Sequence, residues 1–207
     1  MGLIEQFVSL VAPPLCAACG SARPAEQVLC GRCEGELATA PPVLEPGPRG
    51  IDLAVSASPF DGVARRVAIG LKFGRRLLLA GVAAEAMLRA LPAAESVQAV
   101  VPVPPSRWRL RWRGFDPAEE IAIAVAELAG LDYRSCLRRG RGRRQVGRGR
   151  RQRLADPPRV WAEGPAPGSV LLIDDVWTTG ATLEACGRAL RAEGARRIVA
   201  LTLAHSL

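Results

Sequence analysis

Among 207 residues there is one lysine, Lys72, and one histidine, His205. The histidine lies near the carboxyl end, where chains fray, so no imidazole stands out as a general base. No apolar run is long enough to span a bilayer, which argues against membrane insertion. The apolar opening, Met1 to Leu15, has no basic leader and no small-residue cleavage pattern, and Glu5 interrupts it; it does not read as a secretory signal. Apolar residues make up 49% of the chain, too many for a disordered composition, and the length suffices for one good core with a small appendage. A soluble, cytoplasmic protein is the expectation. The net charge of +8 is carried almost wholly by arginine. With abundant alanine, glycine and proline this reads as coding bias, so arginine number alone says little. A surviving lysine says more, because it points to a place where a compact ammonium is wanted rather than a planar guanidinium.

Four of the six cysteines form two Cys-x-x-Cys pairs, Cys16 with Cys19 and Cys30 with Cys33. Two such knuckles deliver four thiolates that can surround Zn²⁺ tetrahedrally, leaving no open position for catalysis. Gly20 and Gly31 suit the knuckle turns. The surrounding segment has too few large apolar residues to fold on burial alone, so a structural zinc is favoured over redox thiols or an iron–sulfur cluster. Cys136 and Cys186 have no partner at ligand spacing and read as ordinary half-buried residues.

Residues 170–182 read Val-Leu-Leu-Ile-Asp-Asp-Val-Trp-Thr-Thr-Gly-Ala-Thr. Four apolar residues suit a buried parallel strand. The strand is expected to stop at Asp174 and Asp175, and the small hydroxyl-rich turn that follows opens a helix whose free N–H groups attract a phosphate. Two adjacent carboxylates are costly to bury unpaired, so they call for hydroxyls, a cation, or both. The competing reading is an ordinary strand, Asx-turn and helix cap.

The Pro-rich stretch from Thr39 to Gly50 reads as a boundary. It separates an N-terminal helix, four-cysteine module and linker (1–45) from a larger domain (50–207). Within the latter, strands are expected over Ile51–Ser56, Val97–Val103, Val170–Ile173 and Ile198–Leu203. Helices are expected around Gly62–Gly70, Leu77–Leu91, Pro117–Ala129 and Leu183–Glu193. Such alternation means an α/β fold, a parallel sheet covered by helices, with binding at the carboxyl ends of its strands.

The 170–182 run resembles the signature by which type I phosphoribosyltransferases bind 5-phosphoribosyl 1-pyrophosphate (PRPP). That resemblance implies that Asp174 and Asp175 hold the ribose hydroxyls while Thr178, Thr179, Gly180, Ala181 and Thr182 wrap the 5-phosphate. Further segments are similar to the ComF family, in which a zinc ribbon precedes this domain. They are Phe60-Asp61-Gly62 through Leu71-Lys72-Phe73, Val101-Pro102-Val103-Pro104, Arg113-Gly114-Phe115-Asp116, and Gln145 with the arginines through Arg153. Asp116-Pro117 stands where that family has Asn-Gln, and Leu154 where it has Asn. Asp116 still suits an N-cap and Pro117 the first helical position.

The resemblance implies Mg²⁺ beside the acid pair, Lys72 as a pyrophosphate contact, and Ser106 to Arg113 as a mobile hood carrying Arg107, Arg109 and Arg113 over the leaving group. A solvated basic loop is the plain reading of those arginines. An acid that handles a base proton in the purine-salvage branch is replaced here by Thr178. The family's association with DNA uptake in natural transformation implies a further possibility. The site would bind PRPP or a nucleotide without turnover, while Arg134 to Arg153 tracks single-stranded DNA and Trp108 and Trp112 stack its bases, in partnership with competence machinery. A homodimer is a weaker expectation.

Overall fold

The computed structural model describes residues 14–73, 77–140 and 158–206, and the statements below concern these. In chain order the elements are α1 (Gly31–Ala38), β1 (Val43–Pro46), β2 (Leu53–Pro59), α2 (Gly62–Phe73), α3 (Leu79–Ala90) and β3 (Ala99–Pro102). There follow α4 (Arg107–Arg113), α5 (Pro117–Ala129), β4 (Asp132–Tyr133), β5 (Leu137–Arg139), β6 (Val160–Ala162), β7 (Ser169–Trp177), α6 (Ala181–Ala192) and β8 (Arg197–His205). Six strands form one sheet in the order β1-β2-β8-β7-β3-β4, parallel except for β1, and β5 pairs with β6 in a separate antiparallel ribbon. The α/β expectation with a mainly parallel sheet therefore holds. No helix of the described residues is long and apolar enough to cross a membrane.

Side-chain alternation along the central strands supplies both layers of core. Leu171 and Ile173 of β7, with Val199, Leu201 and Leu203 of β8, pack among α2, α3 and α5. Their neighbours Val170 and Leu172, with Ile198 and Ala200, face Leu183, Cys186 and Leu190 of α6. Cys16, Leu29, Cys33 and Leu37 join the first of these clusters, so the cysteine module is packed onto the sheet's helical face. Glu36 of α1 ties the two together: its Oε1 accepts the Val63 N–H at 2.8 Å in the first turn of α2 and lies 3.5 Å from Arg66.

Helix α5 begins as its sequence suggests, with Pro117 in the first turn, Glu119 and Glu120 favourably placed on the dipole, and Gly130 at φ 64° ending it.

Several expectations need correction. Strand β7 does not stop at Ile173: it runs through both acids to Trp177, because β8 continues alongside it and pairs Asp174 with Thr202 and Trp177 with His205. His205 is not a frayed end. It closes β8, is 7% exposed, and stacks on Trp177 at 4.2 Å. Residues 107–113, expected as a loop, form a short helix that Gly114 ends at φ 80°, its N–H donating to Leu110 O. Within the Pro-rich stretch, β1 adds an edge strand, and Cys186 is fully buried rather than half-buried. The expectations for residues 1–13 and for Gln145, Arg151 and Leu154 fall outside the described residues.

Candidate functional site

The four cysteines of the two knuckles converge, their sulfurs all lying within 4.8 Å of one another and those of Cys19 and Cys30 3.7 Å apart. A tetrahedron of thiolates about 2.3 Å from zinc places its sulfurs about 3.8 Å apart, so the donor set fits that ion. Gly20 makes the first knuckle turn at φ 76°. Gly31 instead opens α1, and a side chain there would meet nothing, so the turn does not require glycine at that position. Cys30 and Cys33 sit at the start of α1, where the helix dipole favours thiolate.

The sulfurs cannot all ionise unaided. The Ser21 hydroxyl and N–H hold Cys19 down to about 5. Burial acts upward on Cys16 but is outweighed by the N–H groups of Cys19, Cys30 and Ala18, leaving it below its ordinary value. Burial, then the other three thiols, push Cys33 up to about 12. A cation at the centre removes that conflict.

The second cluster lies at the carboxyl end of β7. Strand β3 pairs with β7 only as far as Pro102 opposite Ile173 and then leaves toward α4, while β8 stays paired. Asp174 and Asp175 therefore border a crevice where neighbouring strands part. Alternation sends them to opposite faces. Asp175, on the α2 side and 8% exposed, meets Lys72 in the last turn of that helix, Nζ to Oδ2 at 2.8 Å. Asp174, half-buried on the α6 side, accepts the Asp175 N–H at 2.8 Å. Desolvation, then the charge of Asp175, push Asp174 up to about 8, against the pull of Lys72. The sole lysine thus sits where its compact ammonium neutralises a buried carboxylate.

Gly180, at φ 74°, is the turn into α6, and a Cβ there would meet Pro48 and Trp177 Nε1, each at 3.3 Å. No side chain caps α6, so its first-turn N–H groups are open to an acceptor. Thr178 and Thr179 precede the turn, and Ala181 and Thr182 form the helix start, all four short enough to leave the approach free.

Pro48 belongs to a tight segment behind this turn. Gly50, at φ 89°, and Gly187 of α6 face each other so closely that a Cβ on either would strike the other's backbone at 3.1 or 2.9 Å. Arg191 clasps the segment by donating to Gly50 O at 3.3 Å and to Asp52 Oδ2 at 2.6 Å.

Of the expected hood arginines whose side chains are described, Arg113 is the one coupled to the acids. It is coupled to Asp175 and Asp116, and its guanidinium lies 5.0 Å over Phe73; burial, then Arg109, lower its pKa. Arg109 is solvent-exposed and within electrostatic reach of Arg113 and Arg139. The side chain of Arg107 is outside the described residues. Trp108 and Trp112 stack in parallel at 6.0 Å, both more than half exposed, with Phe73 edge-on to Trp112.

Two site residues escaped the sequence reading. Arg139 ends β5 within electrostatic reach of Cys186, Asp174 and Asp116, its pKa lowered by burial and then by Arg109. Asp116, read as a helix cap and as an acid where the resembling family has Asn but given no role in the site, is 8% exposed, and burial with the charge of Asp175 pushes it up to about 7. Arg139 sits in an arginine-rich tract that gave no sign of which member turns inward. For Asp116 the signal was present, since an acid at an anion-facing turn is out of place.

No protein-family model matches the chain. Over 106 residues it is 31% identical to "Competence protein ComFC" of Streptococcus pneumoniae (strain ATCC BAA-255 / R6), a match covering 50% of the chain and 46% of that protein. The alignment thus spans about half the length of the relative.

Proposed function

We propose that this chain is a ComF-type protein that binds PRPP with Mg²⁺ at the end of β7 and transfers its phosphoribosyl group to an acceptor in the handling of DNA during competence. The similarity to a competence protein and the four-thiol cluster support the family. The reading is carried by one juxtaposition: the Lys72–Asp175 pair and the uncapped, glycine-opened start of α6 lie at the same end of one strand.

In this reading the N–H groups of residues 181–183 and the hydroxyls of Thr178, Thr179 and Thr182 hold the 5-phosphate. Asp174 and Asp175 accept from the ribose 2- and 3-hydroxyls, which also relieves their mutual repulsion. Lys72, Arg113 and Arg109 face the pyrophosphate, where negative charge grows as the bond to ribose C1 breaks. The acids point to opposite faces and form no closed cage, which suits an ion that keeps water and takes phosphate ligands. Mg²⁺ supplies charge neutralisation when bound beside them.

Calorimetric titration of PRPP with Mg²⁺ into the wild type and the Asp174→Asn, Asp175→Asn double variant tests this. Binding that the double variant loses is expected, and a folded wild type that takes up no PRPP sinks the proposal. The exposed Trp108–Trp112 stack, flanked by arginines, favours a second reading in which single-stranded DNA binds there. That reading requires an affinity for oligonucleotide that falls steeply with salt.

A further inference from the structure

Asp116 has no part in the binding roles just described, yet it is the most awkwardly placed carboxyl group in the crevice. The left-handed turn at Gly114 brings the chain back from α4, and Asp116 then stands at the entry to α5, which packs on β3 and β7. The residue is 8% exposed, and its Oδ2 is sealed from solvent without a hydrogen-bond partner among the described residues. An oxygen in that state is expensive unless it carries a proton or meets a donor brought by a ligand.

The groups facing Asp116 come from every side of the crevice: Asp174 and Asp175 on β7, Arg113 on α4, Glu119 on α5, Tyr133 on β4 and Arg139 on β5. Among the described residues only the four thiols converge tightly enough to hold a metal ion. Asp116 does not join the acid pair in such a group, which favours a proton over a cation as its cargo.

We propose that Asp116 is the proton acceptor of the phosphoribosyl transfer. As the nucleophile's lone pair bonds to ribose C1, the C1–O bond to pyrophosphate breaks and pyrophosphate leaves with the electron pair. The nucleophile's own N–H or O–H proton passes to Asp116 Oδ2. The inference rests on the transfer reading above and deepens it. The acceptor belongs to the class of neutral nucleophiles that must shed a proton on bonding, such as a ring N–H, an amine or water. Burial and Asp175 hold the carboxyl near neutrality, at about 7, where a base is both available at working pH and strong enough to be useful.

The test uses PRPP with Mg²⁺ and water as the sole nucleophile, so that no acceptor need be known. Pyrophosphate release above the uncatalysed background is followed from about pH 5.5 to about pH 9, the range in which such a base titrates, for wild type and Asp116→Asn, with PRPP affinity measured alongside. The wild-type rate is expected to fall about tenfold per pH unit below about 7. Asp116→Asn is expected to keep its PRPP affinity, lose about 10²-fold or more in rate, and lose that acid limb. A variant with the wild-type rate, or one in which the limb persists and so belongs to Asp174, overturns the inference. Bound PRPP that the wild type never cleaves overturns it too, leaving the binding reading intact, whereas absence of PRPP binding removes that reading itself. Should Asp116→Asn fail to fold, a flat wild-type profile across the same range still decides against the proposal.

Discussion

The cysteine cluster and the end of β7 both crowd like charges, and they resolve the conflict differently. Around the sulfurs no buried cationic side chain stands among the described residues, and Arg32, which interacts with them, is solvent-exposed; Cys33 is simply forced toward the neutral thiol. At the acid pair the protein brings a cation of its own, Lys72 against Asp175, while Asp174 is pushed toward its protonated form. The first cluster has the donors for an added ion at its centre. The second is met in part by a lysine and a proton that the protein holds itself.

The largest effect should come from the cluster that cannot balance itself. Cys33→Ser removes a fully buried ligand and is expected to abolish stoichiometric zinc and lower the melting temperature by about 10 °C or more. Elemental analysis and thermal unfolding check this, and a variant that keeps both zinc and its melting point would remove the contrast.

Next comes Lys72→Met, which strands Asp175. Breaking a largely buried pair costs on the order of 2–4 kcal/mol. Denaturant unfolding of wild type and variant measures it, and a loss no larger than that of the Asp175→Asn, Lys72→Met double variant would mean that Lys72 acts by packing.

The smallest effect, and opposite in sign, is expected for Asp174→Asn. Because Asp174 is held up to about 8 in the fold but ionises near its ordinary value of 3.8 when unfolded, the folded state binds the extra proton. Its contribution to stability is complete below about pH 4 and is lost as pH rises to about 8; Asp116, raised to about 7, acts with the same sign. The variant should therefore be more stable than wild type at about pH 8, by about 1 kcal/mol, while losing PRPP. A variant less stable than wild type at that pH would show that Asp174 is ionised and paired.

Residues 170–182 were legible because strand, turn and helix start each impose their own residue types on adjacent positions. The lone lysine stood out by its rarity, and the structure pairs it with Asp175 rather than showing the pyrophosphate contact expected of it. The true length of β7 was hidden, since two aspartates are poor strand formers and only the register with β8 keeps them extended. His205 was misjudged from its position, because burial depends on what lies opposite, here Trp177. Helix α4 was missed because two tryptophans and four arginines in seven residues look like a loop's chemistry until Phe73 and the Gly114 cap are in place.

The contact between Gly50 and Gly187 has a bearing on where this chain tolerates change in length. A true linker can be extended at little cost, since loop closure grows only slowly with added residues. The segment from Gly47 to Ile51 is Pro- and Gly-rich and resembles one in composition. Yet it is wedged between Gly180 and α6 and clasped by Arg191. One added residue there would shift Pro48 off the Gly180 turn, so its length is as constrained as that of a core strand.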